Sequence, residues 1–461
     1  MRSYKPQHMR AAQPYWHGAT RRLIACGTAA MVAGALAAPT GALAAEWVDV
    51  DGDYHETAYG TEADPWMWDG KNDLTLNNYT GGVISAAGKL DVTYKGDNTI
   101  TGELDEDGDA DEAGIYVKDG KKEDAELTVK GNEGDSLSIK DVEEGIDSDG
   151  DVTIKGSGKV TIDTTKGWDA PIGILSDGTG SVTLTDGANV TINSGCSGIE
   201  SNGLTVDGST LNIKADGLSN DYAEGIYSYN GNVTIKNGSK VNVEVDGTPA
   251  DSSATGIVVV NTTMSEGTEA AVTVKDSTLN VKVTGIKSSG STFDAGNAGI
   301  AVVGYNASST ITIDNSKVRV STNGTAMLAE TINIPQKPGD ADAKASIVLK
   351  NAKIVSPSGT MVYTDELTRD KFVVSFATLV NGDSDNWEDN VVSDVEIEGD
   401  KKSKDSDESS DADVEQASYT GSASSALAAT GDSSASGLAA ALGAGVVALG
   451  AGLGLRRRED R

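Results

Sequence analysis

The stretch that decides the fold is Gly225-Ile226-Tyr227-Ser228-Tyr229-Asn230-Gly231-Asn232-Val233-Thr234-Ile235-Lys236-Asn237-Gly238-Ser239-Lys240-Val241-Asn242-Val243-Glu244-Val245. It contains a Gly-Ile pair and a polar turn, then two runs in which apolar and polar residues alternate, separated by a second turn. Such alternation is typical of a strand with one buried face. Similar phrases begin at Gly114, Gly145, Gly173, Gly198, Gly256 and Gly299.

These phrases recur every 25 to 43 residues, which is a spacing typical of solenoids. Short strands of this kind cannot bury their apolar faces alone, but each can pair with its equivalent in the next unit. The pattern predicts an all-β fold, a single-stranded right-handed parallel β-helix of the pectate-lyase type with about eight to ten coils over residues 82–356. A β-sandwich of hairpins is the alternative, because evenly spaced short strands also fit it.

The polar positions of these strands are expected to form stacks on the outside of the coils. One stack comprises Thr153, Thr183, Thr205, Thr234, Thr273 and Thr312, and the next strand contributes Asn212, Asn242 and Asn280. Ladders of this kind can simply stabilise a parallel stack. The alternative is a flat polar shelf for an extended glycan, with aromatic side chains that stack on sugars: Trp168, Tyr227 and Tyr229, together with Tyr222 and Tyr305.

The composition excludes several classes of partner. The chain has 461 residues and a formal net charge of -33, which disfavours nucleic acids and anionic membranes. Of the two cysteines, Cys26 lies in the expected leader and Cys196 in the array, so no internal disulfide is predicted for the processed chain. Cys196 is expected to be a small packing residue.

An acidic insertion between two repeats is a candidate metal site. Asp105, Asp107, Asp109 and Asp111 fall at alternate positions, and carboxylate oxygens are ligands that Ca²⁺ prefers. The glycine and the distal glutamate of an EF-hand are missing from this spacing, so weak Ca²⁺ binding and a merely solvated acidic loop both remain open. No other cofactor is predicted.

The N-terminal residues read as a secretory signal peptide over residues 1–44. Basic residues precede an apolar run, and Ala42-Leu43-Ala44 supplies the small residues that signal peptidase requires. An uncleaved membrane anchor is the alternative. Residues 45–81, which include Trp47, Trp66 and Trp68, are predicted to form an N-terminal cap over the open end of the solenoid, with an aromatic sugar-binding platform as the alternative.

After the array, residues 357–380 are predicted to form a C-terminal cap and residues 381–426 a disordered acidic spacer. Residues 427–461 begin with Leu427-Ala428-Ala429-Thr430-Gly431, continue with an apolar helix of about residues 437–455 and end in arginines. This order resembles a sortase sorting signal with Ala at its second position. The resemblance implies cleavage between Thr430 and Gly431, after recognition of Leu427 and Ala428, and covalent attachment of Thr430 to peptidoglycan.

A second resemblance, which covers about Trp66 to Phe376, is carried by the phrase from Trp66 to Tyr79, with Gly81-Gly82-Val83-Ile84 and Gly96-Asp97-Asn98-Thr99-Ile100. It is similar to the opening of β-helical repeats in Gram-positive surface proteins described as carbohydrate-binding domain-containing. Together with the sorting signal, it leads to the hypothesis of a secreted, wall-anchored surface protein that acts by binding or display, as an adhesin for glycans or a host surface. A polysaccharide lyase or hydrolase and a passive stalk are the alternatives, and an enzyme is disfavoured because Arg319 and Arg369 are the only arginines between the two expected cleavage sites.

Overall fold

The structure is a computed structural model. It describes residues 45–104, 108, 110, 112–121, 125–167, 170–217, 222–248, 253–262, 269–285, 295–333, 343–369, 372–382, 387, 389–400 and 419–420. Within these ranges the chain is all-β.

The strands of the N-terminal third are β1 Trp47–Val50, β2 Asp53–His55, β3 Trp66–Trp68, β4 Asp73–Asn77, β5 Thr80–Gly81, β6 Ile84–Ala87, β7 Lys89–Lys95, β8 Asp97–Thr101, β9 Ala113–Lys118, β10 Glu126–Lys130, β11 Ser136–Lys140, β12 Glu144–Ser148, β13 Asp151–Lys155 and β14 Lys159–Thr164. The middle strands are β15 Ile172–Ser176, β16 Val182–Thr185, β17 Asn189–Ser194, β18 Ser197–Ser201, β19 Leu204–Asp207, β20 Thr210–Ala215, β21 Tyr222–Tyr229, β22 Val233–Lys236, β23 Lys240–Asp246, β24 Ser253–Asn261, β25 Glu269–Lys275 and β26 Thr278–Thr284. A 3₁₀ turn at Ala295–Asn297 precedes the last strands, which are β27 Ala298–Tyr305, β28 Ser308–Asp314, β29 Lys317–Ser321, β30 Thr325–Asn333, β31 Ala345–Lys350, β32 Ala352–Ser356, β33 Thr360–Arg369, β34 Phe372–Asn381, β35 Asp394–Gly399 and β36 Tyr419–Thr420.

The strands form three sheets, and every third strand along the chain returns to the same sheet. Sheet A runs in the order β2-β1-β6-β9-β12-β15-β18-β21-β24-β27-β30-β34-β33-β36. Sheet B runs β3-β4-β7-β10-β13-β16-β19-β22-β25-β28-β31, and sheet C runs β32-β35-β29-β26-β23-β20-β17-β14-β11-β8-β5. Long parallel sheets made by such returns are a stack of coils, as in a β-helix, and they rule out the alternative sandwich of antiparallel hairpins.

The Gly-Ile pairs set the register of sheet A. Their isoleucines pair from one coil to the next and are fully buried in a single row, which Ile84 of Gly82-Val83-Ile84 begins and Met327 ends: Ile115, Ile146, Ile174, Ile199, Ile226, Ile257 and Ile300. Valine, leucine and isoleucine side chains from sheets B and C fill the rest of one continuous core. A one-residue slip would turn this row outward, so the register is strongly specified.

Small polar residues make the corner between sheets B and C. The serines of this corner are buried and bond from coil to coil; Ser239 Oγ, for example, donates to the carbonyl of Val206 at 3.0 Å and accepts from the Ser209 N–H at 3.3 Å. Asn237 has a φ of 59° and donates through Nδ2 to Asp207 Oδ1 at 2.7 Å. Asn tolerates this left-handed conformation, which explains the turn residues of the repeat.

The N-terminal end combines antiparallel and parallel pairing. The β1–β2 hairpin covers β6 in antiparallel orientation, but β4 already pairs in parallel with β7. Stacking therefore begins within residues 45–81, before the predicted boundary at residue 82. Trp66 and Trp68 are buried, so they do not form the exposed sugar platform that was the alternative for this segment.

The C-terminal end is closed by antiparallel strands. β34 pairs with β30 and β33, and its Phe376 packs with Tyr363 and Trp387. β35 lies inside sheet C, although the whole of residues 381–426 was predicted to be disordered. That prediction is wrong for Asp394–Gly399, because the acidic residues of β35 face outward and its Val395 and Ile397 are buried.

Several predicted segments lie outside the described residues: the signal peptide 1–44, most of the remaining spacer, and the sorting signal 427–461 with its helix at about 437–455. In the part of the chain that is described, no helix has the length and apolar character needed to cross a membrane.

Candidate functional site

The outer face of sheet C carries an uncharged row of side chains at its centre. In register from β17 to β26, this row consists of Thr191, Asn212, Asn242 and Asn280. The predicted asparagine stack is therefore confirmed. It forms because these positions alternate with buried valine, leucine and isoleucine residues, so all of them point away from the core.

The amides of this row are joined to one another. Asn242 Nδ2 donates to Asn212 Oδ1 at 2.7 Å, and Asn280 Nδ2 donates to Asn242 Oδ1 at 2.8 Å. A carboxamide has two N–H donors and two acceptor positions, so Asn242 retains one of each for a ligand. The ladder thus holds the amides in a fixed orientation and still presents a donor and an acceptor on successive coils.

These residues line a shallow groove with a volume of 680 Å³, which we call the amide groove. It spans β17, β20, β23, β26, β29 and β35. Its charged side chains balance in sign: Lys214, Lys282 and Arg319 against Glu244, Asp394 and Glu396. Lys282 and Glu244 form an ion pair at 2.6 Å, so two of these charges neutralise each other along one edge of the groove.

The groove changes chemistry at its C-terminal end. Arg319 continues the asparagine row, and it donates to Glu396 Oε1 through Nε at 2.8 Å and Nη2 at 2.6 Å. Lys317 also lies 3.2 Å from the same carboxylate. These hydrogen bonds lower the pKa of Glu396, with the contribution of Arg319 the largest. The uncharged part of the groove therefore ends at an ion-pair cluster.

Sheet B presents a second polar face. Its threonines stack in register over seven coils, as the repeat predicted: Thr128, Thr153, Thr183, Thr205, Thr234, Thr273 and Thr312. The row beside it carries charged side chains, with Lys236 at 3.4 Å from Asp207. The residues that line the amide groove do not include this row, so sheet B is the weaker candidate.

The predicted stacking aromatics that the structure describes belong to sheet A and not to either polar face: Tyr222, Tyr227, Tyr229 and Tyr305. Tyr227 points outward from sheet A but is only 2% exposed, so its ring is not accessible to a sugar, and its assignment as a glycan contact is wrong. Tyr229 is partly buried, and its hydroxyl accepts from Thr262 Oγ1 at 2.7 Å. Trp168 lies outside the described residues. The alternation along the strand predicts the face on which Tyr227 lies, but it does not predict that the side chain is buried there.

Acidic side chains also lie buried on the outer face of sheet A. Glu200 is fully buried, Glu224 is 5% exposed, and burial together with the charge of Glu200 raises the pKa of Glu224 well above its usual range. Burial likewise raises the pKa of Asp147 to about 8, with further contributions from Asp177, Glu144 and Asp149. Carboxyl groups with raised pKa values can act as general acids. Glu200 and Glu224 are buried and Asp147 is partly buried, and none of the three lines the amide groove.

The predicted calcium ligands Asp105, Asp107, Asp109 and Asp111 all fall outside the described residues. Elsewhere in the described chain, no group of three or more His, Cys, Asp or Glu side chains could hold a metal ion. Cys196 is buried, as predicted, with its Sγ 3.6 Å from the carbonyl oxygen of Tyr222.

The chain is thus an all-β solenoid, and its sheet C carries the amide groove. No family model matches the chain, and neither a curated protein nor a solved structure matches it. The function is therefore inferred from the geometry of the chain itself.

Proposed function

We propose that this chain is a wall-anchored surface protein that binds an extended, uncharged glycan along the amide groove. The observation that carries this proposal is the aligned row Thr191, Asn212, Asn242 and Asn280, in which the three amides are fixed by their own hydrogen bonds. Side chains that are already ordered lose little conformational entropy when a ligand binds.

The spacing of the row favours a linear polymer. Equivalent residues of neighbouring strands lie about 4.8 Å apart, which is similar to the length of one sugar unit in an extended polysaccharide. A glycan that runs along the stack of coils would meet one amide per sugar. Each amide offers a donor and an acceptor, and hydroxyl groups can satisfy both.

The charges around the groove favour a neutral ligand. The cations and anions that line it balance, whereas the whole chain carries a net charge of -33. An anionic polymer would therefore meet general repulsion without local compensation. We propose binding without catalysis, because Glu244 and Glu396 are engaged by Lys282 and Arg319.

The anchoring part of the proposal is supported by the order of segments in the sequence. A signal peptide over residues 1–44 would be removed by signal peptidase, and a sortase would join Thr430 to peptidoglycan after recognising Leu427, Ala428 and Gly431. A right-handed, single-stranded coil is proposed as well, because connections between parallel strands of one sheet are almost always right-handed.

The proposal is tested by calorimetric titration of the protein with neutral and with anionic polysaccharides. Saturable binding is expected for at least one neutral polymer, with affinity that rises with oligomer length until the groove is filled. Added salt and a chelator are expected to leave this affinity unchanged, because neither free charge nor a metal contributes to the amide row. Binding of anionic polymers alone, or of no glycan at all, would contradict the proposal.

A further inference from the structure

The last coil does not close on the preceding coil in the way that the others do. β30 and β31 pair in parallel with β27 and β28, and Asn351 Nδ2 donates to Asp314 Oδ1 at 3.0 Å at the following corner. The coil is therefore stacked up to that corner. β32 comes next and would be expected to pair with β29, but β35 lies between them and is antiparallel to both. We call the space between β29 and β32 the strand slot.

The inner side of the strand slot fits a strand with two apolar residues. Ile397 is fully buried and lies in register with Val318 on β29 and with Ile354 on β32. Val395 is 4% exposed and lies opposite Val320. β35 thus supplies the side chains that continue the core between the last two strands of sheet C.

The outer side of the strand slot fits a strand with acidic residues. Arg319 forms its two hydrogen bonds with Glu396, and Lys317 contacts both Glu396 and Glu398 at 3.2 Å. On the other flank, Glu398 lies in register with Lys353 of β32. Glu396 and Glu398 of β35 therefore each lie beside a side chain of opposite charge on a neighbouring strand.

Direct closure of β32 onto β29 would lose this match. The corner residues Asn315 and Asn351 are equivalent, so closure in the register of the other coils would place Lys353 beside Lys317. Like charges directly opposite each other on neighbouring strands are destabilising. β32 also carries no acidic residue that could replace Glu396 beside Arg319. The strand slot therefore favours an inserted acidic strand over direct pairing of β32 with β29.

We propose that the strand slot is an acceptor site for an acidic β-strand, and that β35 of a second copy of this chain can occupy it. An occupant needs apolar residues at two alternate positions and carboxylates at the positions between and beside them. β35 has this pattern as Asp394-Val395-Glu396-Ile397-Glu398. Every copy of the chain thus carries both a slot and a strand that fits it, which is the requirement for strand exchange.

The connection to β35 sets the conditions for exchange. Residues 382–393 join β34 to β35, and part of this connection is itself packed: Val392 is buried, and its N–H donates to the carbonyl of Leu379 at 2.9 Å. Release of β35 therefore requires this segment to detach, so the strand of the same chain occupies the slot in dilute solution. Exchange becomes competitive when copies are crowded, as they would be on a cell wall if the anchoring proposed above holds. The acceptor site itself does not depend on glycan binding.

Disulfide trapping between two single-cysteine variants tests this inference. Ser321 and Asp394 are register partners on β29 and β35, and neighbouring Cα atoms in such pairs lie about 4.5–5.5 Å apart, within the range that a disulfide spans. Ser321→Cys and Asp394→Cys chains, both with Cys26→Ala and Cys196→Ala, are mixed, refolded together at about 1 mM and oxidised. The control mixture replaces Ser321→Cys with Lys155→Cys, which lies on sheet B.

We expect about tenfold more disulfide-linked dimer from the matched mixture than from the control, because exchange brings the two thiols together. Adding Glu396→Lys and Glu398→Lys to the Asp394→Cys chain is expected to abolish this excess. The double variant Ser321→Cys/Asp394→Cys should close within one chain in dilute solution. No excess of dimer over the control in the concentrated mixture, or failure of the double variant to close, would overturn the inference.

Discussion

Replacing Gly225 by Ala is expected to lower the free energy of unfolding by about 3 kcal/mol, although only one methyl group is added. A Cβ at Gly225 would lie against Val243 Cγ1 and the backbone carbonyl of Gly256, in both cases closer than van der Waals contact. The carbonyl belongs to the next coil and cannot move without separating the stacked strands. The glycine of the repeat is thus required by close packing between coils.

Urea unfolding of the wild-type protein and of Gly225→Ala measures this effect. Gly238→Ala is the matched control: Gly238 has a φ of 79°, and nothing lies within 4 Å of the added Cβ. Backbone strain alone should cost about 1 kcal/mol there. Equal losses for the two variants would contradict the claim that the approach of the coils requires Gly225.

Asp147→Asn is expected to stabilise the protein at alkaline pH and to leave its stability unchanged at acidic pH. Burial raises the pKa of Asp147 from 3.8 to about 8 in the folded chain. The folded state therefore binds more protons than the unfolded state between about pH 4 and pH 8, and stability falls as the pH rises through that window. Each pKa unit corresponds to about 1.4 kcal/mol, so the loss is on the order of 5 kcal/mol above pH 8.

The asparagine variant carries no charge at any of these pH values, so it should not show this loss. The measurement is the difference in free energy of unfolding between the variant and the wild type, determined from pH 4 to pH 9. Glu133→Gln serves as the control because Glu133 is exposed in a turn. A difference that stays constant with pH would show that Asp147 ionises in the folded chain as it does in the unfolded chain.

The repeat made most of the solenoid predictable. The Gly-Ile pairs gave the period, and the alternation around Thr234 and Asn242 gave the stacks that the register confirms. Both features are local, because each coil repeats the same side-chain pattern and stacks on its neighbours. The sequence also indicated the two polar faces, but it did not distinguish the groove on sheet C from the threonine face on sheet B.

Features that depend on distant parts of the chain were missed. β35 was assigned to a disordered spacer because its carboxylates dominate its composition, although Val395 and Ile397 alternate with them as in a half-buried strand. Glu396 of β35 pairs with Arg319, which lies 77 residues earlier in the chain. A prediction from neighbouring residues therefore could not find this ion pair. The prediction that Tyr227 contacts a glycan was wrong for a related reason. Alternation defines the face of a strand on which a side chain lies, whereas its burial depends on what packs against that face.

The central claim is that the asparagine row of sheet C binds a neutral glycan, and the most direct test is calorimetric titration of a triple variant. Asn212→Ala/Asn242→Ala/Asn280→Ala removes the three amides and keeps the buried residues between them. Thr205→Ala/Thr234→Ala/Thr273→Ala, on sheet B, is the matched control. The account predicts that the asparagine variant loses at least about tenfold in affinity, or about 1.4 kcal/mol, while the threonine variant binds as the wild type does. Wild-type affinity in the asparagine variant, or an equal loss in both, would contradict it.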